Sequence, residues 1–313
     1  RVLDGDAEIK KWKSLVPVKP SGTKEPLYLV HGGGLDVMVF NNVAKYMDDD
    51  QPVYGLKAKG QDGDDEVLGS VEEMAAFYIS EMVEQNPDGP FAIVGYSAGA
   101  VIAFEMAKQL KAAQKEIKML GIIDYDLEGP NVNTVFIRKL RKYTIEFFPR
   151  LLHTIKSYVQ YPAKAHKYQL MCIRLRFVTM AARFGFKKAT RLEGLYQHIE
   201  TARIRYESIM SNYVVAPLDV SIDLFSTKIK VYYLKDPKNL GWKPYALKGV
   251  EVHEIPGDHD DMLLLPNDKK FASVLQDKLN NKQDGEEDSD IEVTREFKLY
   301  NSVQKNVPVL LKT

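Results

Sequence analysis

Residues 91–99 read FAIVGYSAG, and this short stretch decides how the rest of the sequence is interpreted. Its first four residues form an apolar run that favours a buried strand, and residues 100–115 are strong helix formers. Between them Gly95–Gly99 matches the pattern G-x-S-x-G, which turns a strand sharply into a helix and exposes the serine hydroxyl. The hydroxyl then lies beside a helix N-terminus, whose free amides favour developing negative charge. This context predicts that Ser97 is a catalytic nucleophile.

The segments on both sides of this motif repeat the alternation of strand and helix. Further strands are predicted at residues 27–30, 53–56, 119–123, 229–234 and 250–255. The apolar spacing over residues 70–84 predicts an amphipathic helix, begun by a capping box of Ser70 and Glu73. Such an alternation predicts an α/β protein with a mostly parallel central sheet flanked by helices.

One long segment, from about residue 127 to about residue 218, interrupts this alternation. It contains no predicted strand and is interpreted as three or four helices rich in aromatic residues. A helical block inserted beside the carboxyl ends of catalytic strands is typical of a lid over a pocket, and a helical bundle with no role in access is the alternative. The domain is predicted to span residues 26–280, after a linker at 1–25 and before an acidic linker and tail of unknown role at 281–313.

A serine hydroxyl becomes a strong nucleophile only when a base accepts its proton, and histidine is the usual base. Of the six histidines, His259 follows the last predicted strand in a loop that leads into a helix. The order serine, acid, histidine along the chain suits a strand-turn-helix nucleophile, so His259 is the predicted base. A metal site in the aspartate-rich loop around His259 is the rival interpretation. No second histidine lies at ligand spacing, and no metal is expected.

Two aspartates compete for the role of the triad acid, because Asp124 and Asp236 each end a predicted strand. In most proteins with this motif the acid follows the later strand, which favours Asp236. The short separation of Asp124 from Ser97, 124 − 97 = 27 residues, instead fits a subgroup of them. From the residues alone both remain candidates for the carboxylate that orients His259.

The negative charge of a tetrahedral intermediate needs two backbone N–H donors. Ala98 follows the nucleophile and is predicted to supply one of them. The second is predicted to come from the loop after the first strand, at Gly33, since three adjacent glycines let the backbone approach a substrate closely.

Several motifs together resemble a known family. They are residues 15–22, 29–34, 51–56, 95–99, 122–124 and 257–259. In combination they resemble the C-terminal thioesterase domains of nonribosomal peptide synthetases and modular polyketide synthases, which have the α/β-hydrolase fold. In that family the acid follows the earlier strand, which favours Asp124. The resemblance implies transfer of an acyl or peptidyl chain from a carrier protein's phosphopantetheine thiol to the serine, with release by hydrolysis or cyclisation. It implies no cofactor of the enzyme's own.

The charge distribution points to the same partner. The chain has 43 basic and 43 acidic residues, so its balance gives no reason to propose nucleic-acid binding. Between Asn131 and Arg205, however, sixteen Lys or Arg stand against three acids, which makes this segment about 16 − 3 = +13. Carrier domains are typically acidic, so a basic insertion would steer one by opposite charge. Lipid headgroups or an acidic neighbouring domain are the alternatives.

The sequence also limits where the protein works and what else it does. No run approaches the roughly twenty apolar residues of a membrane helix, and a signal peptide is not evident, so no membrane partner is predicted. The single cysteine, Cys172, cannot form an internal disulfide, and a cytoplasmic location is predicted. The alternative functions are a stand-alone or proofreading hydrolase of soluble thioesters or esters, and a catalytically silent binding fold.

Overall fold

The computed structural model describes residues 12–60, 67–127, 136–183, 205–206, 208–210 and 212–281. Its strands are β1 Leu15–Lys19, β2 Leu27–Val30, β3 Val53–Leu56, β4 Phe91–Tyr96, β5 Ile117–Ile123, β6 Ile222–Thr227 and β7 Val250–Ile255. Its helices are α1 Phe40–Ala44, α2 Val71–Gln85, α3 Gly99–Ala112, α4 Phe136–Gln160, α5 Pro162–Arg183 and α6 Asp268–Asn281.

The described strands form one sheet in the order β1-β3-β2-β4-β5-β6-β7. Only the pair β1 and β3 is antiparallel, and the other pairs in this sheet are parallel. The predicted class, a mostly parallel sheet flanked by helices, is confirmed. Strand β4 lies between β2 and β5 at the centre of the sheet, so the serine motif at its end is surrounded by the carboxyl ends of other strands.

Helices cover both faces of the sheet, and β4 shows how the two cores divide. Phe91 and Ile93 pack into a core shared with α2 and α3, whereas Ala92 and Val94 pack into a second core shared with α1 and α6. All four side chains are fully buried. A strand covered on both faces has no side exposed to solvent, which explains why residues 91–94 are continuously apolar.

Strand β1 corrects the interpretation of residues 1–25 as a linker, because residues 15–19 are the edge strand of the sheet. Pro17 lies within this strand, and an edge strand tolerates proline where the missing N–H faces away from its neighbour. Helix α2 fixes the start of the strand. The buried carboxylate of Glu81 accepts hydrogen bonds from the backbone N–H groups of Lys13, Ser14 and Leu15, at 2.8, 3.0 and 2.7 Å.

The predicted strand at residues 229–234 is wrong, and the strand is β6 at Ile222–Thr227. This strand contains a buried aspartate. Asp223 is 1% exposed, and its Oδ1 lies 2.9 Å from Nε2 of His253 on β7. Such a polar pair breaks the apolar pattern that marks a buried strand. Residues 229–234 instead form a loop just beyond the carboxyl end of β6.

The segment between β5 and β6 carries the two long helices α4 and α5, which confirms its helical character for the described residues. Residues 128–135 and 184–204 lie outside the described part of the chain, as do the predicted acidic linker and tail from residue 282. Among the described helices, none combines the length and the apolar character that crossing a membrane requires.

The contact between Glu81 and β1 yields a prediction about stability. Glu81→Ala leaves three backbone N–H groups without their acceptor, so the free energy of unfolding should fall by about 2 kcal/mol. Chemical denaturation followed by circular dichroism measures this change. Glu72→Ala, an exposed position on the same helix, is the control and should change stability by less than about 0.5 kcal/mol. Equal effects of the two substitutions would contradict the proposed anchoring of β1.

Candidate active site

Ser97 lies in the tight turn between β4 and α3, with φ at 51°. The turn is closed so far that neither flanking glycine has room for a side chain. A Cβ on Gly95 would lie 2.4 Å from the carbonyl oxygen of Gly99, and a Cβ on Gly99 would lie 2.2 Å from that of His31. The Ser97 N–H donates to the Ile123 carbonyl at 3.0 Å. Serine is therefore held in a left-handed conformation by backbone packing on both sides.

The structure brings Ser97, His259 and Asp124 together in a hydrogen-bonded chain. Nε2 of His259 lies 3.1 Å from Oγ of Ser97, and its Nδ1 lies 3.0 Å from Oδ2 of Asp124. Asp124 follows β5 directly, and its N–H continues the sheet by donating to the Phe225 carbonyl at 2.9 Å. This arrangement can move a proton from a serine hydroxyl to an imidazole whose positive charge a carboxylate then stabilises.

Asp124 is anchored by two residues that the sequence analysis did not identify. Its Oδ1 accepts the backbone N–H of Thr227 at 2.9 Å and also a hydrogen bond from Nζ of Lys230. Burial by itself would raise the pKa of Asp124, but His259, Lys230 and the Thr227 N–H outweigh burial and lower it to about 2. The carboxylate is therefore ionised at neutral pH. Lys230 lay inside the wrongly predicted strand, so no sequence signal placed it here.

The competing acid, Asp236, has a different role in the structure. Its Oδ1 accepts the N–H of Asn239 at 3.0 Å, and its Oδ2 accepts that of Gly241 at 3.3 Å. These contacts close a turn in the loop between β6 and β7. The acid bonded to His259 is Asp124.

The loop after β2 is rigid at one end and open at the other. Nδ1 of His31 lies 2.8 Å from the Gly32 carbonyl oxygen and Nε2 lies 3.0 Å from the Tyr78 hydroxyl. Burial lowers the pKa of His31 to about 4, so the ring is neutral, and Nδ1 donates while Nε2 accepts. In the trans peptide that follows, the Gly33 N–H points away from the fixed Gly32 carbonyl. A Cβ on Gly33 or Gly34 would meet nothing within 4 Å, so this backbone faces open space.

The loop that carries His259 is held from two sides. From the sheet, the Tyr96 hydroxyl donates to the His259 carbonyl at 3.1 Å, and the two rings stack with centroids 5.6 Å apart. From the helical insertion, Nζ of Lys164 on α5 lies 2.7 Å from Asp258 and 2.6 Å from Asp261. The aspartates around His259 thus have a lysine partner. The insertion is tied to the segment that presents the histidine.

Within the described residues, metal-ligand spacing occurs at one group away from this site, formed by Asp223, Glu251 and His253. Their ligand atoms lie within 4.8 Å of one another. Asp223 and His253 already bond to each other, and Glu251 pairs with Lys278 on α6. These pairs satisfy the three side chains without an ion; Asp223 is buried in the sheet, whereas Glu251 is exposed.

The family comparison covers most of the chain. The model of the family described as "Thioesterase domain" matches residues 25–279. This range includes Ser97, Asp124 and His259, and it begins after β1.

Similar curated proteins include several atromentin synthetases, and these matches lie in a limited part of the chain. An atromentin synthetase of Tapinella panuoides is 38% identical over 123 residues, which are 39% of this chain and 13% of that protein. Atromentin synthetase greA of Suillus grevillei is 37% identical, again over 39% of this chain and 13% of that protein. A protein of Paxillus involutus named inactive atromentin synthetase invA4 is 40% identical, again over 39% and 13%. The match thus spans about an eighth of the length of these relatives.

Solved structures share the fold over a much larger part of the chain. The four-domain nonribosomal peptide synthetase holo-AB3403, bound to AMP and glycine, aligns with a TM-score of 0.61 and 18% identity over 85% of this chain and 20% of that one. The NocB thioesterase domain, in covalent complex with a fluorophosphonate nocardicin G analog, aligns with a TM-score of 0.57 and 19% identity over 87% of this chain and 100% of that one. The fold is that of the α/β hydrolases, and the chain belongs to the thioesterase domain family.

Proposed function

We propose that this chain is a thioesterase that releases an acyl or peptidyl chain from the phosphopantetheine of a carrier protein, through an acyl intermediate on Ser97. The observation that supports the proposal most strongly is the hydrogen-bonded chain from Ser97 through His259 to the buried Asp124. Membership of the thioesterase domain family supports the choice of a thioester as substrate. The chemistry needs no metal or cofactor, because a thioester carbonyl already reacts readily with an activated serine.

In the first half of the reaction, Ser97 Oγ attacks the thioester carbonyl carbon while Nε2 of His259 accepts the hydroxyl proton. Asp124 stabilises the imidazolium through Nδ1. The tetrahedral intermediate then collapses and breaks the carbon–sulfur bond. The phosphopantetheine thiol leaves with the proton that His259 returns to the sulfur. The product is an ester of Ser97 and a free carrier thiol.

In the second half, a new nucleophile removes the chain from Ser97. His259 accepts a proton from water, or from a hydroxyl or amine of the acyl chain itself, and that atom attacks the ester carbonyl. Ser97 Oγ leaves with the proton from His259. Water gives a free acid, and an internal nucleophile gives a cyclic product, so the choice depends on which one reaches the ester first.

The negative charge of both tetrahedral intermediates is assigned to the backbone N–H groups of Ala98 and Gly33. Ala98 immediately follows the nucleophile and precedes the first residue of α3, so its amide lies at a helix N-terminus. The fixed Gly32 carbonyl supports the second donor, since it holds the adjoining Gly33 N–H in one direction. Both proposed donors are backbone groups, so they add no flexible side chain to the site.

A carrier domain is the proposed partner, and the surface of the helical insertion supports this choice. On α4 the side chains of Phe148, Leu152 and Val159 are 69, 66 and 78% exposed, and their spacing puts them on one face. The opposite side of α4 holds the buried Ser157 and also His153, which contacts the loop after β6. Exposed apolar residues within a basic segment suit an acidic partner with an apolar contact surface. The relatives named synthetases and the four-domain neighbour are consistent with a chain that works beside other domains.

The nucleophile is tested by covalent labelling. Ser97→Ala should abolish both thioester turnover and labelling by a fluorophosphonate, because the triad acts as a unit. Intact-protein mass spectrometry measures the label. Ser80→Ala, at an exposed serine on α2, is the matched control and should be labelled like the wild type. Labelling that persists in Ser97→Ala would move the nucleophile elsewhere.

The acid is tested by a matched pair of amides. Asp124→Asn should lower the rate of Ser97 acylation by on the order of a thousandfold, because it leaves His259 without the carboxylate that fixes its tautomer. Asp236→Asn removes a carboxylate from a turn and should lower the acylation rate by less than about threefold. Stopped-flow release of a chromogenic thiol measures both. The reverse ranking would assign the triad acid to Asp236.

The carrier is tested by comparing two forms of one acyl group. Raising the salt concentration from low to physiological should slow the reaction of an acyl-loaded carrier, because screening limits the range of interactions between exposed charges to about 8 Å. The reaction rate of the matching small neutral thioester should not change. The paired substitutions Lys156→Glu and Arg174→Glu, both exposed on the insertion, should lower kcat/KM for the carrier substrate about tenfold.

Lys243→Glu with Lys270→Glu makes the same change in net charge outside the insertion and is the control. Salt and charge effects that are equal for the two substrates would instead favour an enzyme that acts on soluble thioesters. The mass of the released product distinguishes hydrolysis from cyclisation.

A further inference from the structure

A buried lysine completes the surroundings of Asp124. The side chain of Lys230 is only 12% exposed, and that of Asp124 is fully buried. Nζ of Lys230 bonds to Oδ1 of Asp124 and donates to Oγ of Thr227 at 2.7 Å. A charged pair with so little access to water must be held by specific partners, because each charge loses hydration on burial.

The two carboxylate oxygens of Asp124 have separate partners. Oδ2 faces Nδ1 of His259, whereas Oδ1 receives the Thr227 N–H and the Lys230 ammonium. The Thr227 hydroxyl lies 3.1 Å from both oxygens. Rotation of the carboxylate would exchange these partners and break several hydrogen bonds at once. Lys230 and Thr227 therefore fix which oxygen is presented to the imidazole.

The backbone around Lys230 is itself held by both long helices of the insertion. Nε2 of His153 on α4 lies 3.1 Å from the Lys230 carbonyl oxygen. Two residues along the chain, the ring of Tyr232 packs against that of Tyr168 on α5, with centroids 5.9 Å apart. The ammonium group therefore reaches Asp124 from a segment that contacts both α4 and α5.

We propose that Lys230 is a positioning residue for the triad: it orients Asp124 toward His259, and its positive charge extends the activity of the His259–Ser97 pair to lower pH. The proposal rests on the proposed function, since it assigns a role within that same site. A cation beside the carboxylate offsets part of the negative charge that would stabilise a protonated imidazole. The neutral imidazole, which is the form that accepts the Ser97 proton, then persists at lower pH.

Other charged and titratable groups also face this cluster. They are Asp126 after β5, Asp258 and Asp260 in the histidine loop, Tyr96 at the end of β4, Tyr232 in the loop after β6, and His153 on α4. Asp258 and Asp260 have lysine partners on α5, at Lys164 and Lys167. Burial is the main cause that raises the pKa of Tyr96 to about 12, so this tyrosine is neutral over the pH range of the experiment. Lys230 is the cation in direct contact with Asp124 among the described residues.

The experiment is the pH dependence of Ser97 phosphonylation by a fluorophosphonate. In this step the Ser97 oxygen bonds to phosphorus, fluoride leaves, and the hydroxyl proton passes to His259. The reaction therefore reports the triad without any carrier or thioester. Lys230→Met keeps an apolar stem and removes the charge. The acid limb of its rate profile should move to higher pH by about one unit, and its plateau rate should fall about tenfold.

Three further variants make the result specific. Lys230→Arg retains the charge and should keep the acid limb within about 0.3 units of the wild type. Lys230→Gln removes the charge but keeps a hydrogen-bond donor. Its acid limb should shift in the same way as that of Lys230→Met, so it replaces the methionine variant if Lys230→Met does not fold. Lys228→Met is the matched control, because Lys228 also lies just past β6 but is 64% exposed, and its profile should match the wild type.

The outcomes separate the two levels of the account. If wild-type protein is not phosphonylated at Ser97, the proposed function fails. If the wild type is labelled but the folded methionine and glutamine variants keep its pH profile, the role of Lys230 is overturned. A shift in Lys230→Arg as large as that in Lys230→Met would also overturn it, because charge would then not be the cause.

Discussion

The hydrogen-bond ladder across β4, β5 and β6 is the constraint on which the site depends. Each strand continues the ladder one residue past its end, so the Ser97 N–H donates to the Ile123 carbonyl and the Asp124 N–H donates to the Phe225 carbonyl. Parallel strands in this register bring the serine, the aspartate and Thr227 to one edge of the sheet. His259 arrives from the loop after β7. Groups far apart in the sequence thus meet because backbone hydrogen bonds fix where three strands end.

The site concentrates charge in a region with little water. Asp124 and Lys230 are almost completely buried, and the pair survives because every oxygen of the carboxylate has a donor. The pKa of Asp124, about 2, is lower than that of an aspartate in an unfolded chain, roughly 4. This carboxylate therefore stabilises the fold above that unfolded value, and its contribution is lost as the pH falls toward about 2. The catalytic geometry and the pH dependence of stability thus depend on the same carboxylate.

The sequence predicted the parts of the structure that depend on local patterns. The close approach of backbone at Gly95 and Gly99 leaves a recognisable motif, and so Ser97 could be placed without coordinates. The residues that bind Asp124 could not be predicted in this way, because their contacts depend on the register of β6. The buried Asp223 interrupts the apolar pattern by which that strand would have been recognised. The edge strand β1 was missed for a similar reason, since Glu81 on a distant helix defines its start. Contacts between distant segments leave no local pattern.

The proposed thioesterase activity joins these parts into one account. A rigid sheet edge presents the nucleophile, a buried carboxylate holds the histidine, and a basic helical insertion tied to the histidine loop through Lys164 is the proposed contact surface for the carrier. The most direct test is rapid-quench peptide mass mapping after mixing the protein with an acyl-loaded carrier. The account predicts that the acyl mass leaves the carrier and appears transiently on the peptide containing Ser97 before product forms. Loss of the acyl group from the carrier without any acyl-Ser97 species, under conditions that trap esters, would contradict it.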